Sequence, residues 1–159
     1  MSEKPLLVSF MCTGNICRSP MAEAMLRQAL EDEGLGDACE VTSCGAHNFH
    51  EGEDADPRTV ATLKRHGVPA EGLVSRPYSD VEDRADLVVC LDSGHRSTAI
   101  AAFGAPEEKV RLLRSFDPDA PEDAGVPDPY PGGQDGFEYA FELIEAALPG
   151  LLDWVRECA

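Results

Sequence analysis

The sequence is poor in basic residues, in aromatic residues and in long hydrophobic runs. Lys and Arg total 13 against 30 Asp and Glu, which gives a formal net charge of −17 and argues against nucleic acid or an anionic membrane as a partner. No stretch of 18 apolar residues occurs, so we expect no transmembrane helix. Residues 1–10 are too short and too poor in basic residues for a signal peptide, and we expect a cytoplasmic protein.

The six cysteines and four histidines lack the spacing of metal ligands. No Cys-x2-Cys pair occurs, which argues against a zinc ribbon or finger. The histidines do not combine with carboxylates at ligand spacing, and we interpret His47 and His50, in a polar segment, as surface residues. We therefore expect reduced thiols, no metal and no cofactor.

Strand-length and helix-length apolar segments alternate along the chain. The hydrophobic pattern predicts strands at 6–11, 40–44, 86–91 and 110–113. It predicts helices at 20–33, 57–66, 94–103 and 137–157, the first capped by Ser19, the third capped by Ser93 and the last kinked or interrupted at Pro149 and Gly150. The alternation indicates one α/β domain over 1–159, with a four-stranded parallel sheet between helices on both faces in three layers.

The most informative segment joins the first strand to the first helix. It reads Cys-Thr-Gly-Asn-Ile-Cys-Arg-Ser-Pro over residues 12–20 and contains no acidic side chain. Gly14 permits close approach of the backbone, and Asn15 tolerates left-handed geometry, so successive N–H groups can form an anion-binding nest. The helix N-terminus and Arg18 favour the thiolate form of Cys12. We predict that Cys12 is a nucleophile, that Arg18 clamps a phosphate, and that the phosphate-binding loop comprises Thr13, Gly14, Asn15, Ile16, Cys17, Arg18 and Ser19.

A second segment, from Cys90 to Ser97, also fits the spacing Cys-x5-Arg-Ser. It contains Asp92, which would repel a phosphate. We therefore interpret Cys90 as a buried thiol at the end of a strand.

The reaction also needs an acid. Residues 114–136 contain five prolines, four glycines and six acidic residues, and a loop of this length in a compact domain is typically functional or disordered. Asp128 lies between two prolines that stiffen the backbone, and we predict that it protonates the leaving oxygen. We interpret the other acidic residues of the loop as solvated charge.

The sequence resembles the low-molecular-weight protein tyrosine phosphatase family over nearly its whole length. The resemblance is carried by residues 12–24, by residues 43–45 through 56–58, and by residues 128–130. It implies hydrolysis of phosphotyrosine through a phosphocysteine, with Asp128 as the general acid. It also implies that Asn15 braces the loop, that Phe49 and Tyr130 sandwich the substrate ring, and that Cys17 can trap oxidised Cys12 as a disulfide.

The implied partners are phosphotyrosine-containing proteins and a tyrosine kinase, with inorganic phosphate as the product; we expect a monomer or a weak dimer. The family often has Trp where Phe49 stands and Tyr where Pro131 stands, which affects peptide preference. Three alternatives remain open: a phosphoarginine phosphatase, in which Thr tends to replace Ile16; a thiol-dependent arsenate reductase, which needs two further cysteines; and a phosphate-binding module without catalysis.

Overall fold

The computed structural model describes residues 4–159, so residues 1–3 of the predicted domain and of the segment considered as a signal peptide lie outside the described residues. The strands are β1 (Leu6–Cys12), β2 (Cys39–Gly45), β3 (Leu87–Cys90) and β4 (Val110–Leu112). The helices are α1 (Arg18–Asp32), α2 (Pro57–Arg65), α3 (Asp80–Arg84), α4 (Ser93–Ala101) and α5 (Gln134–Cys158), with 3-10 turns at Glu107–Lys109 and Leu113–Phe116.

The four strands form one parallel sheet in the order β2-β1-β3-β4. The continuous apolar run of β1 therefore lies in the interior of the sheet, and its last five residues are buried. Val8, Phe10 and Cys12 pack into one hydrophobic cluster, while Met11 packs into another on the opposite face. The predicted α/β fold with a parallel four-stranded sheet is confirmed.

The helices cover the two faces of the sheet. Helices α1, α2 and α5 contribute to the cluster that contains Phe10, and they also pack against one another. Helix α4 contributes Ala99 to the cluster on the other face, and Ala85 extends that cluster just after α3. This gives the three layers predicted from the alternation of strands and helices. Within residues 4–159, no helix is both long and apolar enough to cross a membrane.

Three details of the predicted helix boundaries are wrong. Ser19 lies inside α1 and caps nothing, because the helix begins one residue earlier and its hydroxyl is used elsewhere. Asp92, not Ser93, caps α4 by accepting a hydrogen bond from His95 N. The five-residue α3 was not predicted, although Ser79 and Glu82 form a capping box there, since one turn carries no measurable periodicity.

The sequence predicts a kink or an interruption at Pro149 and Gly150; the interruption is absent, since helix α5 runs over 25 residues through both. Gly150 lies directly against the backbone of Phe116: a Cβ atom there would lie 2.2 Å from Phe116 O. The close contact between α5 and the Leu113–Phe116 turn therefore requires glycine at this point, which outweighs its poor helix propensity.

Candidate active site

The predicted nucleophile lies at the carboxyl end of β1. Cys12 is the last residue of the strand, is only 2% exposed, and pairs in register with Gly45 of β2. Its Sγ is 2.9 Å from Ser19 Oγ on the first turn of α1. A hydroxyl beside a sulfur can stabilise negative charge on it, so the placement of Ser19 inside the helix gives it a chemical role instead of a capping one.

Asn15 holds the loop between β1 and α1 in shape. It is 1% exposed, and its φ of 57° is left-handed, a conformation that asparagine adopts more readily than most residues. Its side-chain amide donates to Ser19 Oγ at 2.7 Å and to Ser43 Oγ at 2.9 Å, and its Oδ1 accepts from Arg76 N at 3.0 Å. This one side chain therefore joins the loop to α1, to β2 and to the segment that precedes α3.

The loop carbonyls are held by residues distant in sequence. Ser75 Oγ donates to Gly14 O at 2.8 Å, and Asp56 N donates to Ile16 O at 2.8 Å. Gly45 lets the loop pass close by, since a Cβ there would lie 3.0 Å from Thr13 O and 2.9 Å from His47 O. Because the carbonyl groups of Gly14 and Ile16 accept hydrogen bonds from other segments, the loop is held in place before any ligand binds. This is the condition for a preorganised anion site.

Arg18 is buried, and its guanidinium is only partly paired: Nη1 has two hydrogen-bond acceptors, whereas Nε has none among the described residues. It is 3% exposed, and its Nη1 donates to Asp92 Oδ2 at 3.0 Å and to Val126 O at 2.9 Å. Its Nη2 lies 3.4 Å from Thr13 Oγ1, and its buried Nε has no hydrogen-bond partner among the described residues. Buried donors are normally satisfied, so an unpaired Nε–H in a cavity is a donor left for a ligand.

Asp92 pairs with Arg18 of the phosphate loop and so supports the site, a role beyond the one inferred for it from the sequence, as evidence against phosphate binding after Cys90. Cys90 pairs with Met11 in the sheet, so the chain after β3 emerges beside the phosphate loop. Burial alone would raise the pKa of Asp92, but its contacts with His95 and Arg18 outweigh burial and hold this pKa below its ordinary value. Asp92 therefore stays ionised and fixes the position of Arg18.

His95 supports the same arrangement from α4. It is 5% exposed, and its Nε2 is 2.9 Å from Thr13 Oγ1. Its Nδ1 lies 3.3 Å from Asp92 Oδ1 without the geometry of a hydrogen bond. Burial, helped by Arg18 and opposed by Asp92, lowers the pKa of His95 to about 4. The ring is therefore neutral at neutral pH and adds no charge to the site.

A cavity of about 120 Å³ opens over the loop. It is lined by Cys12, Thr13, Gly14, Ile16, Cys17, Arg18, His47, His50, Asp128 and Tyr130. The structure thus brings the predicted nucleophile, clamp and acid together. His47 and His50 are half-buried in this lining instead of lying free on the surface. Burial is the main cause that lowers the pKa of His47, and the nearby His50 lowers it further.

The two predicted ring walls are placed differently. Tyr130 lines the cavity and is 51% exposed, with its backbone N–H donating to Asp128 Oδ1 at 3.0 Å. Phe49 is 77% exposed and does not line the cavity; its ring contacts that of His47, which does, in a tilted arrangement with the ring centroids 4.0 Å apart. Phe49 therefore lies at the mouth, one ring away from the lining.

Arg58 connects the acid-bearing loop to the rest of the site. Its guanidinium pairs with Asp56 at 2.9 Å, donates to Gly132 O at 2.9 Å, and lies over the Tyr130 ring at 5.5 Å. Asp56 is the residue whose N–H holds Ile16 O, so one ion pair links the phosphate loop to residues 130–132. The hydrogen bonds from Arg58 hold the pKa of Asp56 below its usual value.

Burial raises the pKa of four cysteines, which are therefore thiols at neutral pH: Cys17, Cys39, Cys44 and Cys90. Burial and next the carboxylate of Asp56 raise the pKa of Cys17 to about 12, and burial raises that of Cys90 to about 12. Cys90 is fully buried in the cluster on the far face of the sheet, as its interpretation as a buried thiol predicts. Of the described cysteines, only Cys12 and Cys17 line the cavity.

Sequence reasoning missed Asp92, His95 and the carbonyl of Val126 as supports of Arg18. One signal could have found Asp92: in a parallel sheet the residues just beyond adjacent strands meet at one edge, and Asp92 follows a predicted strand by one position. No local pattern marks Val126, whose role comes from a carbonyl oxygen.

Comparison with known proteins agrees with this geometry. Residues 7–158 match the family model of the low molecular weight phosphotyrosine protein phosphatase. A low molecular weight protein-tyrosine-phosphatase of Streptomyces coelicolor is 52% identical, over 94% of this chain and 93% of that protein. Low molecular weight protein-tyrosine phosphatase A of Mycobacterium tuberculosis H37Rv is 48% identical, over 96% of this chain and 93% of that protein.

Solved structures share the fold. A protein tyrosine phosphatase from Entamoeba histolytica, with Hepes in the active site, superposes with a TM-score of 0.87 at 28% identity and covers 96% of this chain and 97% of that chain. A mutant of the Bacillus subtilis arginine phosphatase YwlE, with a phosphorylated active site serine, superposes with a TM-score of 0.85 at 29% identity. The match covers 96% of this chain and 97% of that chain. The chain therefore belongs to the low molecular weight phosphotyrosine protein phosphatase family and is a protein phosphatase of that class.

Proposed function

We propose that the protein hydrolyses phosphotyrosine in proteins through a phosphocysteine intermediate on Cys12. The observation that carries this proposal is that Cys12 and Arg18 line one cavity over a braced loop, and that the buried Nε–H of Arg18 has no hydrogen-bond partner among the described residues. A dianionic phosphoryl group would satisfy that buried donor and the loop N–H groups together. Catalysis of phosphoryl transfer depends mainly on such positioning and charge stabilisation.

In the first step the Cys12 thiolate attacks phosphorus in line with the leaving oxygen. The S–P bond forms as the P–O bond to the tyrosine breaks, and Asp128 gives its proton to the departing phenolate oxygen. Arg18 holds two equatorial oxygens, as its planar guanidinium allows and a lysine would not.

In the second step water attacks the phosphocysteine. Asp128, now a carboxylate, takes a proton from the water, the S–P bond breaks, and inorganic phosphate leaves. Ser19 Oγ, 2.9 Å from the sulfur, stabilises the negative charge that returns to Cys12. Each group acts twice, which is why one small cavity serves both steps.

For the substrate ring we propose Tyr130 as one wall and Phe49, through its tilted contact with the His47 ring, as part of the other. Such contacts contribute about 0.5–1.5 kcal/mol per aromatic pair. The partners are then phosphotyrosine proteins, a tyrosine kinase that supplies them, and phosphate as product, with the enzyme acting as a monomer or weak dimer in the cytoplasm.

Phosphoarginine is the second candidate substrate, and one observation favours it: the likeness to the arginine phosphatase YwlE. Ile16, which lines the cavity here, is the residue at which the arginine-specific relatives tend to carry Thr. We expect phosphotyrosine peptides to be preferred over phosphoarginine peptides of the same flanking sequence. A higher kcat/KM for phosphoarginine would replace the phosphotyrosine assignment while leaving the phosphocysteine chemistry in place.

Burst kinetics with a series of aryl phosphates tests the mechanism. Cys12→Ser is expected to show no turnover. Asp128→Asn is expected to slow phosphorylation of the enzyme by about 10²–10⁴-fold for poor leaving groups and much less for good ones, because a good leaving group needs no proton. Asp119→Asn, an exposed change in the same loop, is the matched control and should keep wild-type rates. Equal slowing across the leaving-group series would remove Asp128 from the acid role.

We also propose that Cys17 protects Cys12 from irreversible oxidation. Peroxide converts the Cys12 thiolate to a sulfenic acid, and the Cys17 thiol then condenses with it, forming a disulfide and releasing water. Both residues line the same cavity, although the raised pKa of Cys17 slows its attack. Mass spectrometry after mild peroxide should find a Cys12–Cys17 bond that dithiothreitol reverses; its absence, with Cys12 over-oxidised, would contradict the role.

A further inference from the structure

A second groove, separate from the cavity over the phosphate loop, is lined by residues of α4, of β4 and of the segment that follows β4. It has a volume of about 680 Å³. Its lining includes three arginines, Arg96, Arg111 and Arg114, and three hydroxyl side chains, Ser93, Ser97 and Ser115. Neither the phosphatase reaction nor its cavity uses any of these six residues. In a protein with a net charge of −17, three guanidinium groups in one groove call for an explanation.

The arginines of this groove differ from the other arginines of the molecule in how many form ion pairs with carboxylates. All ten arginines lie in the described part of the chain, and eight have a nitrogen within 4.0 Å of a carboxylate oxygen: Arg18, Arg27, Arg58, Arg65, Arg76, Arg84, Arg96 and Arg156. Among the described residues, Arg111 and Arg114 are the two arginines without such a carboxylate, and both line the groove. Acidic residues outnumber basic ones by more than two to one, so most arginines find a carboxylate partner. The two arginines that do not are in the groove, where a ligand could bind them.

The two guanidinium groups are held but not neutralised. Arg111 stacks on the Phe116 ring at 4.0 Å, which fixes its plane and leaves its N–H edge without a hydrogen-bond acceptor among the described residues. Arg114 donates from Nη1 to Gly125 O at 3.1 Å, and its buried Nε has no partner there. Stacked, half-buried guanidinium groups with free N–H bonds are suited to grip phosphate oxygens bidentately.

The groove also contains acceptors. Asp117, Glu122 and Asp123 belong to the loop that follows the Leu113–Phe116 turn, and they contribute to the lining. None of them lies within ion-pair distance of Arg111 or Arg114 among the described residues, so these carboxylates do not neutralise the two guanidinium groups by direct pairing. A ligand that satisfies both carries an anionic group at one end and hydroxyl or amino donors at the other.

We propose that this groove binds a phosphorylated small molecule, of the nucleotide or sugar-phosphate class, separately from the catalytic cavity. The phosphate is held by Arg111 and Arg114 with hydroxyl donors from Ser93, Ser97 or Ser115, and the donors on the body of the ligand are accepted by the carboxylates of residues 117–123.

Nitrogen-15 NMR of the full chain, titrated with ATP in the absence of divalent cations, tests the proposal. Amide shifts at residues 93–97 and 111–123 are expected to follow one binding curve, distinct from any curve at residues 12–19. In Arg111→Gln/Arg114→Gln the groove Kd should weaken by at least about tenfold, since two charge-assisted contacts are lost. The loop curve should be unchanged. Arg84→Gln/Arg156→Gln, the same charge change at exposed arginines of α3 and α5, should leave both curves unchanged.

Tripolyphosphate is the second probe, because it carries the anionic groups without the donor-bearing body. It should bind the groove more weakly than ATP, and equal affinity would overturn the assigned ligand class. Absence of groove shifts with millimolar ATP, or a groove Kd that is the same in the double variant, would overturn the site itself. Should the double variant lose its dispersed spectrum, Arg111→Gln alone replaces it, since that guanidinium makes no hydrogen bond to any residue that the structure describes. An unchanged Kd there would count equally against the site.

Discussion

At the scale of single residues, the site depends on Asn15 as much as on the reacting groups. Its amide has three partners on three different parts of the chain, and its backbone is left-handed. Hydrogen bonds of this kind are individually modest, but losing the amide removes all three at once, two of them to the buried side chains of Ser19 and Ser43. The loop is therefore preorganised by one side chain whose chemistry touches no substrate.

Asn15→Ala is expected to lower the free energy of unfolding by about 2–4 kcal/mol, through lost hydrogen bonds and through the cost of a left-handed alanine. Asn15→Gly loses the same bonds without that backbone cost and should be about 1 kcal/mol less destabilised. Urea unfolding measures both values, and kcat/KM for an aryl phosphate should fall in both variants. Equal stability of the two variants would show that the backbone conformation carries no cost here.

At the scale of elements, the contact of α5 with the Leu113–Phe116 turn positions the chain on both sides of the acid-bearing loop. The loop leaves that turn and returns at the first turn of α5, so the packing contact fixes the start of the loop directly and its end through the length of the helix. Gly150 permits the contact because a Cβ there would overlap Phe116 O. The same residue in an open helix would only weaken the helix.

Gly150→Ala should therefore lower the free energy of unfolding by about 1–3 kcal/mol, because the added methyl forces α5 away from the turn. The control is Gly136→Ala in the first turn of the same helix, where a Cβ would lie 3.4 Å from Pro129 Cβ. Improved helix propensity should make that change neutral or stabilising by up to about 1 kcal/mol. Thermal unfolding of both variants decides the point, and stabilisation by Gly150→Ala would contradict the close contact.

At the scale of the whole molecule, an acidic protein concentrates positive potential at one buried point. The formal charge of −17 surrounds a loop whose attraction for phosphate comes from Arg18 and backbone N–H groups. The field of the surface therefore opposes the approach of an acidic substrate, while the local site favours its phosphate.

We expect kcat/KM for a phosphopeptide with acidic flanks to rise severalfold between about 50 and 300 mM salt, because screening weakens the repulsion at long range. The matched peptide with lysine flanks should show the opposite trend. Rates independent of ionic strength for both peptides would mean that the surface charge serves solubility alone.

The neutral His95 makes the stability of the fold depend on pH. Its pKa is lowered to about 4 in the folded protein, so between pH 6.5 and 4 the unfolded chain binds a proton that the folded chain does not. Stability should therefore fall as the pH drops through this window, by up to about 3 kcal/mol from this residue. Urea unfolding of wild type and His95→Gln at pH 7, 5.5 and 4.5 measures the difference; parallel losses in both proteins would contradict a buried neutral histidine.

The sequence by itself determined the α/β fold, the phosphate loop and its first helix, because strand, loop and helix are contiguous and their periodicity and glycine content act locally. It also placed Asp128 in a stiff loop, though its choice over the loop's other acids rested on resemblance. The tertiary structure decided what holds Arg18: Asp92 is 74 positions away and the carbonyl of Val126 is 108 positions away. Such contacts arise because a parallel sheet gathers the ends of its strands at one edge, so residues without any shared local pattern become neighbours only when the sheet forms.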